Sequence, residues 1–193
     1  MSVYKGATEE IPHKLPTPRG KRVIPSTYYD ANLYHDMTTG RSVTGILHFF
    51  NKTPIDWFSK KQATVETATF GSEFVAARTA VEQIIDLRLT LRYLGVPVEG
   101  PTYVFGDNKT TVDASSLPHA KLHKRHTALS FHRVREAAAS GLMKMFHIPG
   151  PQNPADILSK HWGYSQVWSL LQPLLFWEGD TLALCAGASV ATP

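Results

Sequence analysis

TYVFGDNKT, residues 102–110, decides how the rest of the chain is read. Tyr103, Val104, Phe105 and Gly106 carry no charge, which predicts a strand covered on both faces. Asp107 stands at its carboxyl end, and the polar residues after it suit the start of a helix. In an open α/β sheet the carboxyl ends of the strands are where ligands and metals bind, so an acid there is well placed for chemistry. Asp is also an ordinary helix cap or turn residue. Asp107 therefore acquires chemical meaning only if other acids converge on it.

Toward the C-terminus the pattern predicts a short helix over 109–115, a break at Pro118 and a helix over 124–140 that carries Leu129, Val134 and Ala137 and stops at Gly141. A strand follows over 142–148. Asn153, Pro154 and Asp156 then read as an N-cap, a first helical position and a first-turn acid, opening a helix that runs toward residue 175 with an interruption near Gly163. Toward the N-terminus, Phe74, Ala77, Val81, Ile84, Ile85 and Leu91 recur at helical spacing over 69–93, ended by Gly95 and Pro97. Before that helix, strands over 23–33, 42–50 and 55–59 with short connections predict an antiparallel meander, with a basic corner at Lys60 and Lys61. The expected order is β-β-β-α-β-α-β-α, a mixed five-stranded sheet flanked by helices in the α/β class. One domain over 23–178 is expected, with a polar arm over 1–22 that contains Pro12, Pro16 and Pro18, and a disordered small-residue tail over 179–193.

A chain of 193 residues, 42% of them hydrophobic, suffices for one good core. The net charge of +4 is mild, but many of the 20 Lys and Arg and nine His crowd into 121–135, which suggests an anionic partner, nucleic acid being the obvious candidate. No apolar run approaches the roughly 18 residues of a membrane span, and the N-terminal end lacks a signal-peptide core. Cys185 stands alone, which excludes an internal disulfide and a cysteine-based zinc site and fits a reducing, intracellular compartment.

Four acids fall at special places on this map: Asp30 on the first strand, Glu73 near the start of the long helix, Asp107, and Asp156. Brought together in a cleft they would repel, and would be tolerated only with protons or cations shared among them. Hard oxygen ligands of this kind suit Mg2+ or Mn2+. His119, His123, His126 and His132 superficially suggest zinc, but without cysteine or an acid at fixed spacing a solvated basic face is the expectation. Trp57, Trp162, Trp168 and Trp177 are expected in the core or a lid.

At these residues the chain resembles the ribonuclease H domain of copia-type LTR retrotransposon polyproteins, the segment that follows the reverse transcriptase. The resemblance rests on Asp30-Ala31-Asn32, SVTG at 42–45, WFSKKQ at 57–62, Thr64-Val65 followed by EFVA at 73–76, Asp107-Asn108, Arg125-His126 with FHRVRE at 131–136, and PADILSK at 154–160. Seven segments in order, over roughly 23–160, are specific where one alone would be weak. Two departures stand out: the family's usual Cys before the Asp-Asn pair is Gly106, and the Ser/Thr-rich run before the helix Glu is altered. Glu66 is expected to be a solvated loop acid, leaving Glu73 as the ligand.

The resemblance implies a ribonuclease H-like fold and a Mg2+-dependent endonuclease acting on the RNA strand of RNA–DNA hybrids. Asp30, Glu73, Asp107 and Asp156 would be both catalytic residues and ligands to two ions about 4 Å apart, with Mn2+ as a substitute. Asn32, Lys60, Lys61, Asn108, Lys124, Arg125, Arg133 and Arg135 are expected nucleic-acid contacts, and His126 and His147 auxiliary groups. The reverse transcriptase domain of the same polyprotein is the expected protein partner, in a cytoplasmic particle or the nucleus. A catalytically silent module that binds nucleic acid or positions other polyprotein domains is the alternative.

Overall fold

The computed structural model describes residues 20–117, 119–120, 122 and 127–175. β1 (Pro25–Asp36), β2 (Arg41–Phe50) and β3 (Thr53–Lys61) form the antiparallel meander. β1 begins and ends later than its apolar pattern suggests. Val23 contributes only a bridge to Val98, while an irregularity between Asn32 and Asp36, with Tyr34 at φ 54°, carries the pairing on to Asp36 opposite Arg41. Asp36 closes the hairpin by accepting from the backbone of Thr38 and Thr39 and from the Thr39 hydroxyl. β3 is likewise longer than expected. Lys60 and Lys61 are strand residues paired with Thr44 and Val43, not a corner, and Pro54 is tolerated because β3 is an edge strand.

α1 (Thr69–Tyr93) has the expected bounds. Ala76, Ala77 and Ala80 let it lie close to the sheet while Phe74, Val81 and Ile84 fill the core. Glu66, expected in solvent, is buried at 4% exposure, with its carboxylate against Gly71 in the first turn of α1. The positive end of the helix favours an anion there.

β4 (Thr102–Gly106) runs parallel to β1 and to β5 (Met143–His147), giving the order β3-β2-β1-β4-β5. Only one face of β4 is fully covered. Thr102, Val104 and Gly106 are buried, while Tyr103 and Phe105 are half-buried in a row of rings in which Phe105 stacks on Tyr28 at 4.8 Å and meets Phe146 at 5.7 Å. α2 (Lys109–Ser116) and α3 (Ala128–Ala139) pack with α1 on the covered face, around Tyr29, Ile46, Phe131, Val134 and Met143.

The last expected helix is two: α4 (Asp156–Ser159) and α5 (Tyr164–Leu175), preceded by a 3-10 turn at Gly150–Gln152. Asn153 is not an N-cap of α4. Its Oδ1 accepts from the Ala155 N–H at 3.1 Å and its Nδ2 donates to the Tyr29 carbonyl at 2.9 Å, which ties the turn to β1 before the helix begins. Trp57 is no core residue either, lying 70% exposed on β3, and Trp168 is 47% exposed. Trp177, the 1–19 stretch of the arm and the 179–193 tail lie outside the described residues. No helix among the described residues is long and apolar enough to cross a membrane.

Candidate functional site

The sheet brings the acids together by register. β1 and β4 pair in parallel with Tyr28 beside Phe105, so two residues further on Asp30 and Asp107 stand abreast at the carboxyl ends of adjacent strands. Asp30 also pairs with Gly45 on β2, and α4 sits directly over that glycine. A Cβ at Gly45 would fall 2.6 Å from the Ala155 carbonyl oxygen and 2.9 Å from the Ser159 nitrogen, so only glycine admits this approach. The Ser59 hydroxyl donates to the Leu158 carbonyl at 2.6 Å and fixes the other side of α4. The result places a carboxylate oxygen from each of Asp30, Asp107 and Asp156 within 4.8 Å of the others.

Glu73 lies beneath this trio on α1, at 4% exposure. Its carboxylate accepts from the Ala31 backbone N–H and feels the charges of Asp30 and Asp107, while Oε2 has no hydrogen-bond partner among the described residues. Asp107 is not a helix cap. Asn108 takes that position, its Oδ1 accepting from the Thr111 N–H at 3.0 Å, which leaves the Asp107 carboxylate for the cleft.

Burial, and then the Asp30 and Asp107 charges, hold the Glu73 carboxyl well above the usual range. Burial and Asp30 also raise Asp107. Asp156 is pushed up to about 6, chiefly by burial, against the opposing pull of Lys160. Lys160 Nζ lies 2.7 Å from Asp156 Oδ1 and 3.7 Å from Asp30 Oδ2, and the Ser159 hydroxyl donates to Asp30 Oδ2. Burial lowers the Lys160 ammonium, but the Asp156 hydrogen bond and the charges of Asp30, Asp156 and Asp107 outweigh it and raise it overall. One lysine facing three or four carboxylates leaves an excess of negative charge. All-oxygen ligands with an unpartnered carboxylate oxygen and uncompensated charge fit a hard divalent cation such as Mg2+ or Mn2+.

The expected nucleic-acid contacts divide. The Asn32 amide meets His35 Nδ1 at 2.9 Å, and the His35 ring lies 4.2 Å from that of His161, on the side of the cleft near Lys160. Lys61 pairs with Asp36 at 2.8 Å, and Lys60 is exposed on β3. Asn108 is the cap just described. Arg133 pairs with Glu136 at 3.0 Å. Arg135 is not available to phosphates in the expected way. Its guanidinium donates to the carbonyls of Ala114 and Leu117, both at 2.8 Å, and lies over the Phe131 ring, fastening α3 to the end of α2. Lys124, Arg125 and His126 lie outside the described residues, as does His123. His147, the other auxiliary candidate, has Nε2 3.0 Å from the Asp107 carbonyl oxygen. Among the described residues, the three aspartates are the one group with metal-ligand spacing, and neither His119 nor His132 belongs to it.

Sequence reasoning missed Lys160 and Ser159. Lys160 stands four residues after Asp156, the spacing that puts two side chains on one helix face, so it was within reach. Ser159 carried no signal of its own.

No protein-family model matches the chain. It is 32% identical over 143 residues, 73% of its length, to the retrovirus-related Pol polyprotein from transposon TNT 1-94 of Nicotiana tabacum. It is 25% identical over 150 residues to that from transposon RE2 of Arabidopsis thaliana. In both cases it spans 10% of the relative's length. Among solved structures it resembles the N-terminal RNase H domain of rv2228c from Mycobacterium tuberculosis, with a TM-score of 0.56 at 12% identity, covering 78% of this chain and 98% of that one. It also resembles LC11-RNase H1 in complex with an RNA/DNA hybrid, with a TM-score of 0.52 at 20% identity, covering 71% of this chain and 93% of that one. At these identities the likeness is one of fold.

Proposed function

Because the chain belongs with the retrovirus-related Pol polyproteins of transposons, as a segment with the ribonuclease H fold, we propose that it is a metal-dependent endonuclease that cuts the RNA strand of RNA–DNA hybrids. The observation that carries this reading is the meeting of Asp30, Asp107 and Asp156 within 4.8 Å at the carboxyl edge of the sheet, with Glu73 buried beside them.

Asp30, Asp107, Asp156 and Glu73 are the residues that would hold divalent cations. Mg2+ bound there, as one ion or a pair, supplies an activated water and charge neutralisation at a phosphate. The chain's own groups prepare that chemistry. Asp30 would be the ligand shared by the ions, and Ser159 and Lys160 both reach its Oδ2 and fix its orientation. Glu73 is anchored by the Ala31 N–H, which stops its carboxylate from swinging into the core. Lys160 offsets part of the negative charge before a cation arrives. Glu73 and backbone groups near Asn32 would be the candidates for contact with the 2′-hydroxyls that distinguish RNA chemically from DNA. Exposed Lys60 on β3 and the basic segment at 121–126 supply phosphate attraction, and a reverse transcriptase segment of the same polyprotein would deliver the hybrid.

The test is cleavage of a labelled RNA–DNA hybrid with Mg2+ and with EDTA, by the native protein and by Asp107→Asn. That substitution keeps the shape but removes a ligand charge. Cleavage in Mg2+ alone, lost in the variant, supports the reading. A variant that cuts as well as the native protein overturns it.

A further inference from the structure

The β1–β2 hairpin and the segment after α4 meet at one edge of the cleft through two histidines that the metal site does not use. On β1, the strand that carries Asp30, the irregularity between Asn32 and Asp36 interrupts the regular pairing, and the Asn32 amide reaches the His35 ring. His161 stands between two residues that are both tied to Asp156. Lys160 Nζ lies 2.7 Å from the Asp156 carboxylate, and Trp162 Nε1 donates to the Asp156 carbonyl at 2.9 Å. The two imidazoles are in contact, with centroids 4.2 Å apart and planes 37° from parallel. Two segments distant in sequence, one continuing from Asp30 and the other held to Asp156, thus converge on a pair of histidines.

Stacking alone would be served by phenylalanine or tyrosine. What imidazoles add is N–H donors. The Asn32 Nδ2 can only donate, so His35 Nδ1, 2.9 Å away, accepts, and the proton of the neutral ring sits on Nε2. His35 is thereby preset as a donor through Nε2. Cations crowd it: Lys61 and His161 both act on His35, and the acid that acts on it, Asp36, is already engaged by Lys61 at 2.8 Å and by the Thr39 hydroxyl. Neither imidazole forms an ion pair with a carboxylate among the described residues. Donors set among cations and short of a counter-charge suit an anion. For a nucleic acid lying across the acids, the anions at hand are the backbone phosphates, which proteins commonly use to fix the register of a bound strand.

We propose that His35 and His161 form a phosphate subsite on the Lys160 side of the metal site, which takes a backbone phosphate of the nucleic acid lying across the acids. It rests on the hybrid-binding reading above. It adds to that reading two contacts that lie outside the carboxylates and outside the basic segment.

The test is anisotropy of a fluorescent RNA–DNA hybrid in EDTA, which reads binding without cleavage, with the native full chain and its variants. His35→Ala and His161→Ala should each raise the hybrid Kd about three- to tenfold, the loss of one hydrogen bond to a charged group. The double variant should lose less than the product of the two, because both donors serve one phosphate. His161→Phe keeps the ring contact without the donor and should bind as weakly as His161→Ala, whereas His161→Arg keeps a donor and should stay near native. The Mn2+ Kd, read by calorimetry without nucleic acid, should be the same in all of these proteins. Native-like hybrid binding by His161→Phe or by the double variant overturns the proposal. A Mn2+ Kd that rises in step with the hybrid Kd also overturns it, since the pair would then be a prop of the metal site. A native protein that binds the hybrid but does not cut it in Mg2+ defeats the nuclease reading, while the same variants still decide the subsite. A native protein that binds no hybrid overturns both.

Discussion

Asp156 offers a measurement in which the cost of a buried charge and cation binding pull in opposite directions. Its carboxyl is pushed from the ordinary 3.8 up to about 6 in the folded protein, mainly by burial. A raised carboxyl means that the fold prefers the neutral form. The group's contribution is favourable below pH 3.8, is lost as the pH climbs from about 4 to about 6, and stays lost above that. At 1.36 kcal/mol per pH unit, keeping Asp156 ionised at pH 7.5 costs the metal-free fold about 3 kcal/mol. Asp156→Asn removes that cost with little change of shape, and Lys160 retains Asp30 at 3.7 Å. For a domain of this size the melting temperature in EDTA should therefore rise by roughly 6–12 °C at pH 7.5, with the gain shrinking toward nothing near pH 4. Mg2+ at a thousand times its Kd should reverse the ranking, because it adds about 4.1 kcal/mol to the native protein and little to the variant. Scanning calorimetry at three pH values, in EDTA and in Mg2+, gives the whole comparison. A variant no more stable than the native protein in EDTA at pH 7.5, or a gain independent of pH, would refute the claim that burial, with the neighbouring carboxylates, disfavours the ionised Asp156.

Replacing Lys160 with Met should destabilise the metal-free protein by about 1–3 kcal/mol, with Mg2+ restoring much of the loss; urea titration with and without the ion reads both numbers. Arg135→Ala should lower stability by about 1–2 kcal/mol through loss of the Ala114 and Leu117 contacts, yet leave the salt dependence of hybrid binding unchanged, whereas Lys60→Ala should flatten that log–log slope by roughly one unit if Lys60 touches a phosphate. Gly45→Ala should push α4 off the sheet, lowering the melting temperature and weakening Mn2+ binding together; a stable variant with native Mn2+ affinity would show that the close approach does not position Asp156.

Much of the architecture was legible because hydrophobic period and punctuation agreed. The 3.6-residue spacing of Phe74, Ala77, Val81 and Ile84, closed by Gly95 at φ 73°, gives α1 with its observed bounds. Where tertiary contacts override local preference, the pattern misled. Asn153-Pro154 has the local chemistry of a helix start, but the Asn153 side chain is drawn to the Tyr29 carbonyl, and the helix begins later and ends sooner. The acids were identifiable as residues at element ends, but their convergence depends on strand register and on the Gly45 contact, which no local pattern encodes. Glu66 was misjudged because a loop acid gives no sign that a helix terminus will bury it. Arg135 was misjudged for the complementary reason: a basic residue in a basic segment looks free until the carbonyls at the end of α2 are known.

The short helix α4 also says something about time. It brings Asp156 to the site, yet it is held by contacts that span most of the chain, Asn153 to Tyr29 across 124 residues and Ser159 to Asp30 across 129. Contacts so distant in sequence close late, since the entropy of the intervening loop must be overcome first. The β1–β2 hairpin and α1 can form from neighbouring residues, whereas the fourth carboxylate joins only after the sheet is assembled. A chain emerging from the ribosome would then hold Asp30, Glu73 and Asp107 in place before Asp156 arrives, so that the proposed metal site would be completed only at the final step of folding.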